Sequence, residues 1–444
     1  MRKFPNALVI MISIIFLAAI FTYIIPQGKY ERVLSPDTGE MLVVPHSYKS
    51  IDAPSVSIAE TFMAIPQGII NRADVIALIF LIGGSFFVLE KTGALNNGVE
   101  YLVDVLRGKE EVVLVLVSLV FLAGGALSGL QEEIIAMTPV LLFLCHRMGY
   151  DSFVAIAISY GSAVLGASFS PINPFAVVIA QKETNLEFLS GSTYRLVVMG
   201  LAFVIWMWLV IRYANKNRIV KSAEFSEIKT RLSLKTTAIL GIVATTFFVL
   251  IIGILQYNWG FNEMSAEFFA MGILIGIIGG LGINGTAEAY IEGFKAVTFA
   301  TIIIGLSSSI SIILEKGFII DSIIYGLFTP LQYLPKSISA IAMLYSQALL
   351  HIVVPSYSGQ AILTMPILAP LSDLIGLSRQ VCVLAYQYGA VMMDMIIPTN
   401  GGLMAVLAIA GIPFNKWFSF IFKLCLTILL FASLAVVVAV YLQF

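Results

Sequence analysis

Gly166-Ala167-Ser168-Phe169-Ser170-Pro171-Ile172-Asn173-Pro174 and Asp394-Met395-Ile396-Ile397-Pro398-Thr399-Asn400-Gly401-Gly402 interrupt two otherwise apolar stretches, 110–182 and 337–411. Proline has no backbone N–H and cannot continue a helical hydrogen-bond ladder. Each stretch therefore predicts a helix that stops, exposes polar backbone and restarts. The two interruptions are in register with each other. Pro171 pairs with Pro398 and Asn173 with Asn400; at the same separation Pro139 pairs with Pro366, Gly149 with Gly376, Val154 with Val381, and Ala163-Val164 with Ala390-Val391. A looser echo upstream joins Leu89-Glu90-Lys91 to Leu314-Glu315-Lys316. Matched Pro, Gly and Asn positions mark an internal repeat.

The medium around these breaks follows from composition. Of 444 residues, 59% are hydrophobic and 11% charged, against roughly 25% charged in soluble proteins. With a mean hydropathy of +0.97, most of the chain belongs in lipid. The 35 glycines follow no period of three, and a net charge of −1 offers no basic excess for nucleic acid. Cys145, Cys382 and Cys425 are few and widely spaced, and they read as buried small residues.

Apolar runs near 7–26, 73–92, 193–213, 236–256, 264–283, 297–315 and 417–443 each approach the length of about 20 residues that spans a bilayer. The first follows Arg2 and Lys3 but is long for a signal core and lacks a small-residue cleavage site, so it reads as a retained helix. The connection 213–235, flanked by Arg212, carries Lys216, Arg218, Lys221, Lys229, Arg231 and Lys235, which places it in the cytoplasm. Arg2 and Lys3 put the N-terminus there as well, and 27–72 falls outside. On this count the helices preceding the two repeat copies run in opposite directions. Inverted repeats with interrupted helices are the signature of secondary transporters.

The expected architecture is an all-α membrane protein with about nine transmembrane helices, two re-entrant hairpins and two broken helices. Residues 1–212 form an N-terminal repeat half with hairpin 111–148 and broken helix 152–182. The linker 213–235 leads to a C-terminal half, 236–444, with hairpin 338–375 and broken helix 380–411. The hairpin tips are Ser128-Gly129-Leu130-Gln131-Glu132-Glu133 and Pro355-Ser356-Tyr357-Ser358-Gly359-Gln360.

Non-helical backbone at membrane depth survives only where protein or a wet cavity covers it, so tips and breaks are the candidate site. A half-helix N-terminus attracts a carboxylate. Freed carbonyls with Ser168, Ser170, Asn173, Thr399 and Asn400 offer oxygens for Na⁺, most directly near Ser170, Asn173, Thr399 and Asn400. Gln131, Glu132, Glu133, Ser356, Ser358, Gly359, Gln360 and Asp394 complete the substrate and ion set. Glu132, Glu133 and Asp394 have no Lys or Arg in the neighbouring broken segments, so a cationic group, Na⁺ or a proton is expected beside them. Glu132 and Glu133 are equally placed to cap the second hairpin arm, and His351 to be a packing residue or a ligand. No P-loop, zinc-protease or hydrolase-elbow motif occurs, so the chain is not expected to be an enzyme. It needs no cofactor beyond a coupling ion, Na⁺ or H⁺.

Ser356-Tyr-Ser-Gly-Gln360, Met365-Pro-Ile-Leu-Ala-Pro370, Ser378-Arg-Gln380, Ile397-Pro-Thr399 and Leu403-Met-Ala405 resemble the YfcC-type transporters. These are grouped with the anaerobic C4-dicarboxylate carriers and the arginine–ornithine exchangers. In the first half Glu132-Glu133, Gly149-Tyr-Asp151, Asn173-Pro-Phe175 and Ala180-Gln181 resemble the same family. The resemblance implies an ion-transporter superfamily fold with scaffold and transport domains, a homodimer, and a place in the inner membrane. The expected function is secondary active, elevator-type transport of a small carboxylate-bearing metabolite, foremost an amino acid and among these a basic one, coupled to Na⁺ or H⁺ or to exchange. A C4-dicarboxylate carrier and, from another class, a passive channel are the alternatives.

Overall fold

The computed structural model describes residues 7–34, 41–95, 97, 98, 101, 109–129, 131, 133–218, 232–257 and 259–444. The basic core of the linker at 219–231 and the tip residues Leu130 and Glu132 lie outside these, as does the side chain of Glu133. Helix dominates. Among the described residues the only strands are four short ones between residues 28 and 50, paired as two small antiparallel ribbons.

Among the described residues, eight helical segments are long and apolar enough to cross a bilayer: Ala73–Lys91, Glu110–Leu127, the interrupted Ser152–Glu183, Ser192–Lys216, Phe261–Ile278, Gly282–Lys316, Lys336–Val353 and Phe414–Tyr441. Two shorter apolar helices, Leu8–Ile24 and Leu234–Leu250, accompany them. The apolar runs 264–283 and 297–315 fall in two separate helices, but their bounds differ from the apolar runs. The first ends at Ile278, and the second belongs to a single 35-residue helix, Gly282–Lys316. Its early turns expose Glu288, Glu292 and Lys295 while burying Ala289, Tyr290, Gly293 and Val297. That spacing is an amphipathic helix rather than a connector. At 1.5 Å per residue this helix is about 50 Å long, well beyond the hydrocarbon thickness of about 30 Å.

The long helix packs against Ala7–Ile24, Ile58–Asn71, Ala73–Lys91 and Gly401–Ile409. A second group forms around Arg379–Met392, which contacts Lys336–Val353, Ser162–Phe169 and Phe414–Tyr441. Each group mixes elements from both halves of the chain.

Both broken stretches are interrupted as the prolines require. The first runs as Ser152–Ile156, a π-helical turn Ala157–Gly161, and Ser162–Phe169; it is non-helical at 170–173 and resumes at Pro174. The second runs as Arg379–Met392 and a 3₁₀ turn Met393–Met395, is non-helical at 396–400, and resumes as Gly401–Ile409. Each is preceded by a helical hairpin, Glu110–Ser128 with Glu133–Arg147 and Lys336–Val353 with Tyr357–Leu374. The broken helices lie against the first arms at backbone contact. A Cβ at Gly166 would overlap the carbonyl oxygen of Leu122, and one at Gly389 that of Leu344. Only glycine permits such an approach.

Candidate functional site

The first break is closed on itself. Ser168, Ser170 and Asn173 are fully buried. Asn173 Oδ1 caps the restarting helix, accepting from Phe175 N (3.0 Å) and Ala176 N (2.9 Å), while its Nδ2 donates to Gly125 O (2.8 Å). Ser170 Oγ accepts from Ile172 N (2.9 Å) and Asn173 N (2.8 Å) and donates to Ala126 O (2.7 Å). Ser168 Oγ donates to Val164 O (2.7 Å). The backbone groups freed by the break, which the sequence offered to an ion, are thus largely answered by the chain's own side chains. Gln387, on the other broken helix, donates to the freed carbonyls of Ala167 (3.2 Å) and Ser170 (2.8 Å), and Arg195 Nε reaches Gln387 Oε1 at 3.4 Å.

The second break is open on one side. A cavity of about 430 Å³ is lined by Ser356, Gly359, Thr399, Asn400, Gly401 and Gly402 from the second tip and break. Asn400 Oδ1 accepts from Leu403 N (2.8 Å), and Ser356 Oγ accepts from Gly359 N (3.3 Å). Each therefore caps a helix whose N-terminus borders the cavity, Gly401–Ile409 and Tyr357–Leu374. First-turn N–H groups have no acceptor within their own helix, and three glycines let a ligand approach the backbone. Thr399 Oγ1 donates to Ile352 O (3.1 Å) and holds the break against the hairpin arm. Ser358 sits half-buried in the first turn of Tyr357–Leu374.

Residues from elsewhere in the chain complete the cavity, and sequence reasoning assigned none of them to it. Arg72 comes from the junction of Ile58–Asn71 and Ala73–Lys91. The first of these helices starts at a capping box, with Ser57 Oγ accepting from Glu60 N (3.2 Å) and Glu60 Oε2 accepting from Ser57 N (2.9 Å). Its end and the start of the next helix share Arg72, an exposed residue that lines the cavity. Glu315 and Ser307, Ser308 and Ser311 come from the long helix. The signals were present in the sequence: a lone Arg before an apolar run, a serine cluster inside one, and an acid in the Leu-Glu-Lys echo. Only the fold shows that they share one wall. A second cavity of about 320 Å³ shares Glu315, Ile320 and Leu363 with the first and reaches Lys29, Arg32 and Asp321. There Arg32 pairs with Asp321 through two hydrogen bonds (2.9 and 2.7 Å), fastening the ribbon that contains Arg32 to Ile320–Phe328.

Behind the second break lies a buried polar cluster, and here the structure corrects the sequence reading. Asp394 is not isolated. Its Oδ1 is 3.0 Å from His351 Nε2, with the two side chains 2% and 0% exposed. Its Oδ2 accepts from Gln131 Nε2 (3.1 Å), of the first hairpin tip, and from the Tyr357 hydroxyl. His351 Nδ1 lies 2.6 Å from Gln360 Oε1. His351 is therefore bonded on both ring nitrogens rather than packed in an apolar face. The Tyr160 hydroxyl lies 3.4 Å from Gln131 Oε1 and 3.0 Å from Asn400 Oδ1, joining this cluster to the cavity. Of the expected site residues, the fold gathers Gln131, Gln360 and Asp394 in the cluster and Ser356, Gly359, Thr399 and Asn400 at the cavity. Among the described residues no group of three His, Cys, Asp or Glu side chains is placed to hold a metal ion.

Several known proteins resemble this chain. A protein of Haemophilus influenzae without an assigned activity is 28% identical over 495 aligned positions, covering 99% of this chain and 97% of the relative. YfcC of Escherichia coli, by its name a candidate basic amino acid antiporter, is 29% identical and covers 93% of this chain and 92% of its own. Among solved structures, the YdaH transporter of Alcanivorax borkumensis aligns with a TM-score of 0.46 and 13% identity, over 99% of both chains. MtrF of Neisseria gonorrhoeae aligns with a TM-score of 0.44 and 14% identity, over 99% of this chain and 96% of its own. The model of the DcuC family, described as C4-dicarboxylate anaerobic carriers, matches residues 4–441. With that match running almost end to end, the chain is a multi-pass membrane transporter of the DcuC family.

Proposed function

We propose that this transporter is a secondary active carrier of a small amino acid, taken up or exchanged across the inner membrane by an elevator-type movement. The carrying observation is the wall of the 430 Å³ cavity, where Arg72 and two helix N-termini stand with Glu315. A volume of this size suits a small metabolite, given the range of about 300–1,000 Å³ for ligand sites. Arg72 and the helix ends favour a carboxylate, through a planar fork of donors and unpaired N–H groups. Glu315 gives the amino group of a zwitterion a counter-charge. The name of the E. coli relative points the same way. With the N-terminus in the cytoplasm and 27–72 outside, the cavity faces outward; a homodimer would provide the fixed frame for the movement.

A second reading, transport of a C4-dicarboxylate, is favoured by the family's description. Arg72 and the helix N-termini could receive two carboxylates, with Glu315 opposing the second. Counterflow in proteoliposomes separates the two readings. Radiolabelled amino acids should exchange and be displaced by unlabelled amino acids at neutral pH. Displacement by succinate or fumarate alone would replace the amino-acid reading with the dicarboxylate one. Flux that never saturates would mean a channel.

A further inference from the structure

We infer that the His351–Asp394 pair is the proton-binding site that couples substrate movement to a proton gradient; this rests on the carrier reading above. The hydrogen-bond directions around His351 carry the inference. Gln360 Nε2 donates to the backbone carbonyl of Gln347 (2.9 Å), which can only accept. That fixes the amide, so Gln360 Oε1 is the atom facing His351 Nδ1 at 2.6 Å. The rest of the chain of bonds agrees. Gln360 Nε2 also meets Gln347 Oε1, Gln347 Nε2 donates to Thr364 Oγ1 (2.9 Å), and Thr364 Oγ1 donates to Gln360 O (2.8 Å). Nδ1 must therefore carry a hydrogen. The other ring nitrogen, Nε2, faces a carboxylate oxygen, Asp394 Oδ1, at 3.0 Å.

Both ring nitrogens face acceptors, so one further proton sits between Nε2 and Oδ1. Whether drawn as imidazolium with carboxylate or as imidazole with carboxylic acid, the pair holds the same proton and is neutral as a unit. Neutrality is what its surroundings require, since both side chains are buried and a net charge at this depth is costly. The groups facing the pair from the packed elements are Gln131 of the first tip, Tyr357 and Gln360 of the second arm, and Tyr386, whose hydroxyl donates to Tyr357 O (2.6 Å). Among the described residues none of these brings a further formal charge.

Release is balanced simply. The shared proton leaves, His351 keeps its Nδ1 hydrogen, and Asp394 remains a carboxylate, so the pair becomes an anion. Two lone pairs then oppose each other at 3.0 Å, and the second break keeps Thr399 Oγ1 on Ile352 O but loses its other bond to the hairpin arm. The same break supplies Asn400 to the cavity, and Tyr160 bridges Asn400 to Gln131 on the far side of Asp394. Proton occupancy thereby sets how firmly the break that lines the substrate cavity is held.

The test uses the purified full-length chain in proteoliposomes, with the amino acid that gives the fastest counterflow as probe. An inward-acid pH gradient imposed at zero membrane potential should change accumulation, and a trapped pH-sensitive dye should report proton movement with substrate. In Asp394→Asn, gradient-driven accumulation should fall at least tenfold and residual flux should no longer respond to the gradient. Asp394→Glu should restore part of the response. Normal counterflow with no proton movement and no response to the gradient would overturn this inference and leave the carrier reading intact. Absence of any counterflow would remove the carrier reading instead. Independently of substrate, ¹⁵N spectra of histidine-labelled protein, assigned with His351→Gln, should show both ring nitrogens of His351 hydrogen-bonded. A free ring nitrogen would overturn the proposal, whatever the transport result.

Discussion

The two helix breaks carry the same sequence device and sit in different surroundings. At 170–173 the freed backbone groups are met by Ser170, Asn173 and Gln387, and these three side chains are fully buried. At 396–400 the matching asparagine, with Thr399, borders a cavity with Arg72 on its wall and the buried His351–Asp394 pair behind it. The asparagine caps the restarting helix in both. The difference lies in what the rest of the fold places opposite: a hairpin arm in one case, the long helix and the Arg72 junction in the other. A repeated motif fixes local backbone geometry, and tertiary neighbours decide whether that geometry is sealed or presented to a ligand.

The largest effect should come where the breaks are alike. Gly166→Ala and Gly389→Ala both drive a methyl into a backbone carbonyl, which cannot move away as a side-chain tip would. Overpacking costs about 1–3 kcal/mol or more, so both variants should lose most folded protein in thermal melts. If only one did so, the two broken helices would not be equivalently seated. Arg72→Ala comes next and tests the contrast. It should lower substrate affinity at least tenfold, a change of about 1.4 kcal/mol, with Arg72→Lys recovering only part because the fork of donors is lost. Unchanged affinity would move the site away from this cavity.

Comparing the asparagines sharpens the contrast further. Loss of an N-cap costs about 0.5–2 kcal/mol, so Asn173→Ala and Asn400→Ala should both lower the melting temperature. Asn173→Ala should lower it more, because its amide also bonds Gly125 O. Asn400→Ala should have the greater effect on KM. Reversed rankings would mean that the first break, not the second, is the ligand side. The smallest change is expected for Glu315→Gln. It should weaken amino acids severalfold while improving competition by succinate, since removing the acid removes both an attraction and a repulsion at the same wall. Equal effects on both ligand classes would detach Glu315 from substrate discrimination.

How far the site was legible in the sequence can be judged from particular residues. Pro171 and Pro398 announce the breaks, because a missing N–H acts within one turn of the chain. Ser356, Gly359, Thr399 and Asn400 were legible for the same reason. Arg72 and Glu315 were not. Each read as the flank of an apolar run, and nothing local tells a flank from a cavity wall. The partner of Asp394 was hidden although His351 lies in the same half of the chain, because facing atoms across a hairpin are not encoded by spacing along it.

The sequence by itself determined that this chain lives in lipid, that it is helical, and where its helices must break. Charge content, apolar run length and proline chemistry act over a few residues or over bulk composition, so they need no fold to be read. Tertiary structure alone decided which break is sealed, where Arg72 stands, that Gly282–Lys316 is one helix, and that Asp394 meets His351. Each of these depends on contacts between segments far apart in the chain, where packing and burial, not local propensity, set the outcome.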